Sequence, residues 1–125
     1  MPELEVGDEE FIAIARDRAR ARALRETLRK LARAGGGSGD GALQEMAREV
    51  LAGRIGLREA MQVGPYREAL RDRARAGARA YEDMSAPERT AAEAEGRRRL
   101  EAYQEEIDRE RAVRRIPGGR GGGAG

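Results

Sequence analysis

Gly41–Leu51 reads GALQEMAREVL, and its apolar side chains fall at Leu43, Met46, Ala47, Val50 and Leu51. These are positions i, i+3, i+4, i+7 and i+8, the spacing that gathers side chains on one face of a helix with 3.6 residues per turn. No strand-like alternation competes with it elsewhere in the chain. The expected class is therefore all-α.

Moving outward from this helix, which opens at Asp40 or Gly41, Gly53 stops it and Gly56 permits a turn. Leu57, Ala60 and Met61 mark a short third helix ended by Gly64 and Pro65. Proline lacks the N–H that a helix leaves unused in its first turn, so Pro65 is placed as the first residue of a fourth helix. Tyr66, Leu70, Ala74, Gly77, Ala78 and Tyr81 line one face there, with small residues in the middle where another backbone could approach. Leu43 to Tyr81 is the expected folded nucleus.

Ser85-Ala86-Pro87-Glu88 is a capping box: the serine hydroxyl accepts from the backbone and the glutamate reaches back. A helix is expected from there to Arg115, about 45 Å long at 1.5 Å per residue. Leu100, Tyr103 and Ile107 share one face, while Glu110 and Arg114 occupy the positions that would continue it. So short a stripe cannot bury so long a helix, and part of it must project or pair with another chain.

Toward the N-terminus the charge reverses abruptly. The first ten residues hold five acids and no base, whereas Phe11 to Gly35 holds eight bases and two acids. A first helix is expected over Asp8 to Ala34, with Asp8 as N-cap and Arg29, Lys30 and Arg33 at the favourable C-terminal end of its dipole. Ile14, Ala21 and Leu28 recur every seven residues beside Leu24 and Leu31, a narrow stripe suited to one partner helix, and Asp17 interrupts the second row.

The division expected along the chain is an acidic N-terminus and basic helix over 1–34, a glycine-rich linker over 35–41, a helical core with a long last helix over 42–116, and a disordered tail over 117–125. This makes about five helices: a compact three-helix centre between two longer charged ones. Phe11 to Gly35 carries +6 and Glu82 to Gly96 carries −4, so these two helices are expected to pair, within one chain or across a dimer.

Composition narrows the chemistry. There is no histidine, cysteine or tryptophan, which removes the usual neutral-pH proton shuttle and most transition-metal ligands and activated nucleophiles. Leu, Ile, Val and Phe make up only 19 of 125 residues, yet 25 bases against 23 acids leave a net charge of +2, so opposite charges solvate helix faces instead of forcing disorder. Lys30 is the only lysine; arginine, alanine and glycine share GC-rich codons, so arginine abundance alone says little about nucleic acid. No apolar run is long enough to span a membrane, and Met1 to Glu10 lacks the basic start of a signal peptide, which makes the cytoplasm the expected setting.

Each chemical motif has a plain structural explanation beside it. The acidic pairs Glu9–Glu10, Glu82–Asp83 and Glu105–Glu106, and the row Glu101, Glu105 and Asp108, show no spacing that would bring carboxylates together in a pocket, so they are expected on solvated surface. Gly35 to Gly41, GGGSGDG, lacks the preceding strand and following Lys-Ser or Lys-Thr of a phosphate loop. Gly118 to Gly123, GGRGGG, holds a single Arg-Gly-Gly unit without aromatic neighbours, unlike RNA-binding tracts. Tyr66, Tyr81 and Tyr103 lie on apolar stripes and are expected in packing.

The function expected is a non-enzymatic helical protein–protein interaction module: an adaptor, regulatory subunit or assembly factor with no cofactor, metal or small-molecule substrate. Ile14, Leu24, Leu28, Leu31, Leu100, Tyr103 and Ile107 are the expected anchors to another protein or a second copy. The alternative is a nucleic-acid-binding regulator using Arg16, Arg18, Arg20, Arg22, Arg25, Arg29, Lys30 and Arg33, joined by Arg71, Arg73, Arg75 and Arg79 on one continuous face. A basic amphipathic helix can also lie on an anionic membrane, but the stripe lacks bulky aromatic residues.

Overall fold

A computed structural model describes residues 5–33 and 41–115. The expected linker over 35–41 lies outside the described residues except for Gly41, which is the first residue of a helix and not linker, and the expected tail over 117–125 lies outside them too. Among the described residues the chain is all-α: a 3-10 turn at Asp8–Phe11, then α1 (Ile12–Ala15), α2 (Arg18–Arg33), α3 (Gly41–Leu51), α4 (Leu57–Ala60), α5 (Gly64–Glu82) and α6 (Ala86–Arg115).

The first helix is not continuous. Arg16 adopts φ 75°, a left-handed conformation that ends α1, and Asp17 then caps α2 by accepting the Arg20 amide at 2.8 Å while also meeting the Arg20 guanidinium at 2.8 Å. The aspartate that interrupts the apolar row in the sequence is thus the start signal of a new helix. Asp8 is not the N-cap either: no side chain caps the 3-10 turn, and the Asp8 carboxylate instead accepts from Arg22 Nε at 2.8 Å. The guanidinium brings a full opposite charge where a backbone amide offers only a dipole, and it draws the carboxylate away from the turn.

The core is built between α2 and α3. α3 contributes Leu43, Met46, Ala47, Val50 and Leu51, α2 contributes Ala21, Leu28 and Leu31, and Phe11, Ala60 and Tyr66 close the ends. Helix α2 therefore does more than flank a centre. Gly53 stops α3 as expected, with φ 79° and its amide on the Val50 carbonyl at 3.0 Å. In that conformation a side chain would strain the backbone. Val6 donates to the Leu51 carbonyl at 2.8 Å, which ties the acidic N-terminal segment to the end of α3.

Core packing ends partway along α5. Tyr66 is buried, its hydroxyl donating to Glu45 at 3.0 Å, and Ala69 and Leu70 are half-buried. Every residue from Arg71 to Ala80 is exposed, including Ala74, Gly77 and Ala78 of the expected apolar face. At the far end Tyr81 donates to Glu93 at 2.6 Å. Arg89 lies 5.1 Å from the centre of the Tyr81 ring and donates to the carbonyls of Tyr81 and Glu82 at 3.0 and 2.9 Å, so the α5–α6 elbow is held by side chains at the turn.

The capping box opens α6 as the sequence indicates, with Ser85 N–H donating to Glu88 at 2.7 Å and Glu88 N–H to Ser85 Oγ at 3.2 Å. Helix α6 then returns to pack against α2, and Ile107 is its buried residue among the described ones. This corrects the expected charge pairing: the acids that meet the basic helix are Glu106 and Glu110, not those of Glu82 to Gly96. The apolar stripe explains the choice, because Ile107, its buried residue, lies in the C-terminal half of α6 and burying it brings that half onto α2.

Candidate functional site

The most sheltered charged cluster sits where the 3-10 turn, α2 and α6 meet. Its centre is Arg22, whose side chain is 14% exposed beside an Asp8 side chain at 10%. Arg22 Nε meets Asp8 at 2.8 Å, Nη1 meets Glu106 at 3.2 Å and Glu110 at 2.9 Å, and Nη2 meets the other Glu110 oxygen at 2.7 Å. The fork-to-fork contact with Glu110 suits the planar guanidinium and fixes the register of α6 on α2. It also raises the Arg22 pKa, with the Glu110 hydrogen bond as the main cause, and holds the Glu110 carboxyl below its ordinary value.

Asp8 completes the cluster from the other side. Its Oδ1 is buried without a hydrogen-bond partner, 3.8 Å from the Arg25 guanidinium. Arg25 donates to the Val6 carbonyl at 2.8 Å and lies 3.8 Å from Glu5, while Arg29 meets Glu5 at 3.3 Å and Glu26 at 3.1 Å. The acidic N-terminal segment therefore runs alongside the basic helix and neutralises its middle.

This arrangement divides the eight basic residues expected on a nucleic-acid face. Arg22, Arg25 and Arg29 are engaged by Glu5, Asp8, Glu26, Glu106 and Glu110, and Arg20 by Asp17. Arg16, Arg18, Lys30 and Arg33 remain exposed. In place of a continuous cationic face there is a helix whose centre is internally matched. Sequence spacing shows how the arginines scatter around the helix, but not which carboxylates from distant segments reach them.

The seven apolar anchors are placed mostly inward. Leu28, Leu31 and Ile107 are buried, and Ile14, Leu24, Leu100 and Tyr103 are half-buried. Leu24 packs beside the core cluster, and the stripe of α6 faces α2. The partner that these seams engage in this structure is the chain itself.

Helix α5 presents the contrasting surface. Arg67, Arg71, Arg75 and Arg79 recur every fourth residue, an interval that places successive side chains about 6 Å apart along one side of a helix. Arg73 does not share this row, because two residues from Arg71 is about 200° around the helix. Arg75 meets Asp72 at 3.4 Å, both exposed, whereas the guanidinium groups of Arg67, Arg71 and Arg79 have no hydrogen bond or ion pair among the described residues. Beside this row run Leu70, Ala74 and Ala78, of which only Leu70 is half-buried. Sequence reading named this helix as nucleus, and its arginines only as accessories.

A hollow of about 780 Å³ is lined from Gly64 to Ala76 by α5 alone, so it is a trough on one helix and lacks opposing walls. Among the described residues no three carboxylates gather to hold a metal ion, and no helix is long and apolar enough to cross a membrane. Glu9, Glu10, Glu82, Asp83, Glu101, Glu105 and Asp108 are all exposed. No protein-family model, curated protein or solved structure matches the chain.

Proposed function

We propose that this chain is a non-enzymatic helical interaction module, an adaptor, regulatory subunit or assembly factor working in the cytoplasm. The observation that carries the reading is the uncovered outer half of α5, Arg71 to Ala80, set between a packed body and an elbow held by Tyr81 and Arg89. A helix that is exposed on every side finds its tertiary support in a partner, because isolated helices of this length are marginal in water. Its alanines and arginines favour the helix intrinsically, so it stands ready before a partner arrives.

The alternative, nucleic-acid binding through the first helix, keeps Arg16, Arg18, Lys30 and Arg33 but gives up the three arginines bound by acids.

An affinity pull-down from native extract, with and without nuclease, tests the proposal when the full chain is compared with the A74E/A78E double variant. Both alanines are exposed, so the body keeps its fold, checked by circular dichroism. The expected result is a protein partner that survives nuclease and is lost with the double variant. Capture that nuclease abolishes, or that the variant leaves intact, overturns it.

A further inference from the structure

The row Arg67, Arg71, Arg75 and Arg79 runs about 18 Å along α5, from the edge of the body toward the elbow. Three of its guanidinium groups meet no carboxylate among the described residues, and the fourth meets only its exposed neighbour Asp72. Within the same chain one comparable charge is matched by a docked helix. On α2, Arg22 is met by Glu106 and Glu110, two acids one turn apart on a docked helix, with Ile107 buried beside them.

The periodicity explains why that solution suits α5. Two helices share the same 6 Å rise per four residues, so acids spaced i, i+4, i+8 stay level with arginines spaced the same way over several turns. In the adjoining row, Ala74 and Ala78 carry small side chains that let a second helix approach closely, which a phosphate backbone would leave uncovered. A second copy of α5 is a poor occupant, since Arg71 and Arg73 border the Leu70–Ala74–Gly77–Tyr81 seam and an antiparallel copy brings like charges together.

The geometry points to an acidic amphipathic helix of another protein as the ligand of α5, docked on the Ala74–Ala78 strip with carboxylates at i, i+4 and i+8 facing Arg71, Arg75 and Arg79. This rests on the proposal that α5 is an interaction surface and names the chemistry of what it takes. The arginines set register and partner choice, and the alanine strip sets the distance of approach.

The test uses the full chain and a labelled alanine-rich peptide of about 20 residues, enough to span the row at 1.5 Å each, with glutamate at every fourth position. A second peptide has the same composition with its glutamates displaced around the helix. Fluorescence anisotropy at low salt is expected to show binding of the first peptide, weakened about tenfold in the second and about tenfold in R71E/R75E, with most affinity kept in R71K/R75K. Equal binding of both peptides, or no binding of either, overturns the inference. So does tighter binding of labelled duplex DNA or RNA, or dimerisation by light scattering that R71E/R75E abolishes. Partner capture lost with A74E/A78E but kept with R71E/R75E removes the acidic helix while leaving the interaction surface in place.

Discussion

Helices α2 and α5 are both rich in arginine and alanine, yet the chain treats them in opposite ways. On α2 the guanidinium groups of Arg22, Arg25 and Arg29 are drawn inward by carboxylates from the N-terminal segment and α6, beside buried Leu28 and Leu31. On α5 the guanidinium groups beyond Leu70 stand in solvent above alanines that cover nothing. Arginine content therefore does not mark a binding face. What distinguishes the two helices is whether apolar burial brings an acidic partner within reach.

The widest separation between the regions is expected in core truncation. Leu43→Ala removes a fully buried side chain and costs about 3 kcal/mol, measured by urea unfolding, whereas Ala76→Ser on exposed α5 stays within about 0.5 kcal/mol. Comparable losses at both sites would break the comparison. The ionic counterpart is Arg22→Met, expected to cost about 2 kcal/mol because Asp8 is left sheltered without its main partner. Arg71→Met is expected to stay near zero on the same assay.

Ser85→Ala removes the hydroxyl that caps α6 and is expected to cost about 1 kcal/mol, seen as fraying of the start of α6 while α3 is unchanged. Native-state hydrogen exchange sharpens the same boundary. Amides of α3 should be protected to the level of global unfolding, and those from Arg71 to Ala80 should exchange through a lower-energy opening. Equal protection along α5 and α3 would show cover on the outer helix.

The smallest effect expected is in pH dependence. Glu110, Glu88, Glu95, Glu49 and Asp17 have lowered pKa values, each through hydrogen bonds to a neighbouring arginine or backbone amide. Lowered folded values mean that their contribution is full above the unfolded values near 4 and is lost as pH falls through the folded ones. Tyr81, hydrogen-bonded to Glu93, and Tyr66, chiefly through burial, have raised values, so their contribution is full below pH 10 and is lost above it. Thermal melts should show a plateau between about pH 5 and 9. E110Q is expected to soften the acid limb.

Much of the fold was legible because its signals are short. The Leu43–Leu51 periodicity, the Gly53 stop, the proline in the first turn of α5 and the Ser85–Glu88 box each involve neighbours within a few residues. The break at Arg16 was not legible, because Asp17 in the middle of a basic run looks like an interruption until its carboxylate is seen on the Arg20 amide. The end of packing at Leu70 was hidden too, since Ala74, Gly77 and Ala78 have the spacing of an apolar face without the side-chain area to hold one buried.

By itself the sequence determined an all-α chain without histidine or cysteine chemistry, and where most helices begin and stop, because propensity, capping and periodicity act within a turn or two. Only the tertiary structure decided which arginines are neutralised and which remain open. Arg22 meets acids 84 and 88 positions away, a match that exists only once α6, with Ile107 buried, is packed on α2. Charge at that range is set by the packing that delivers it, and beyond Leu70 helix α5 is exposed, so its arginines stay at the surface.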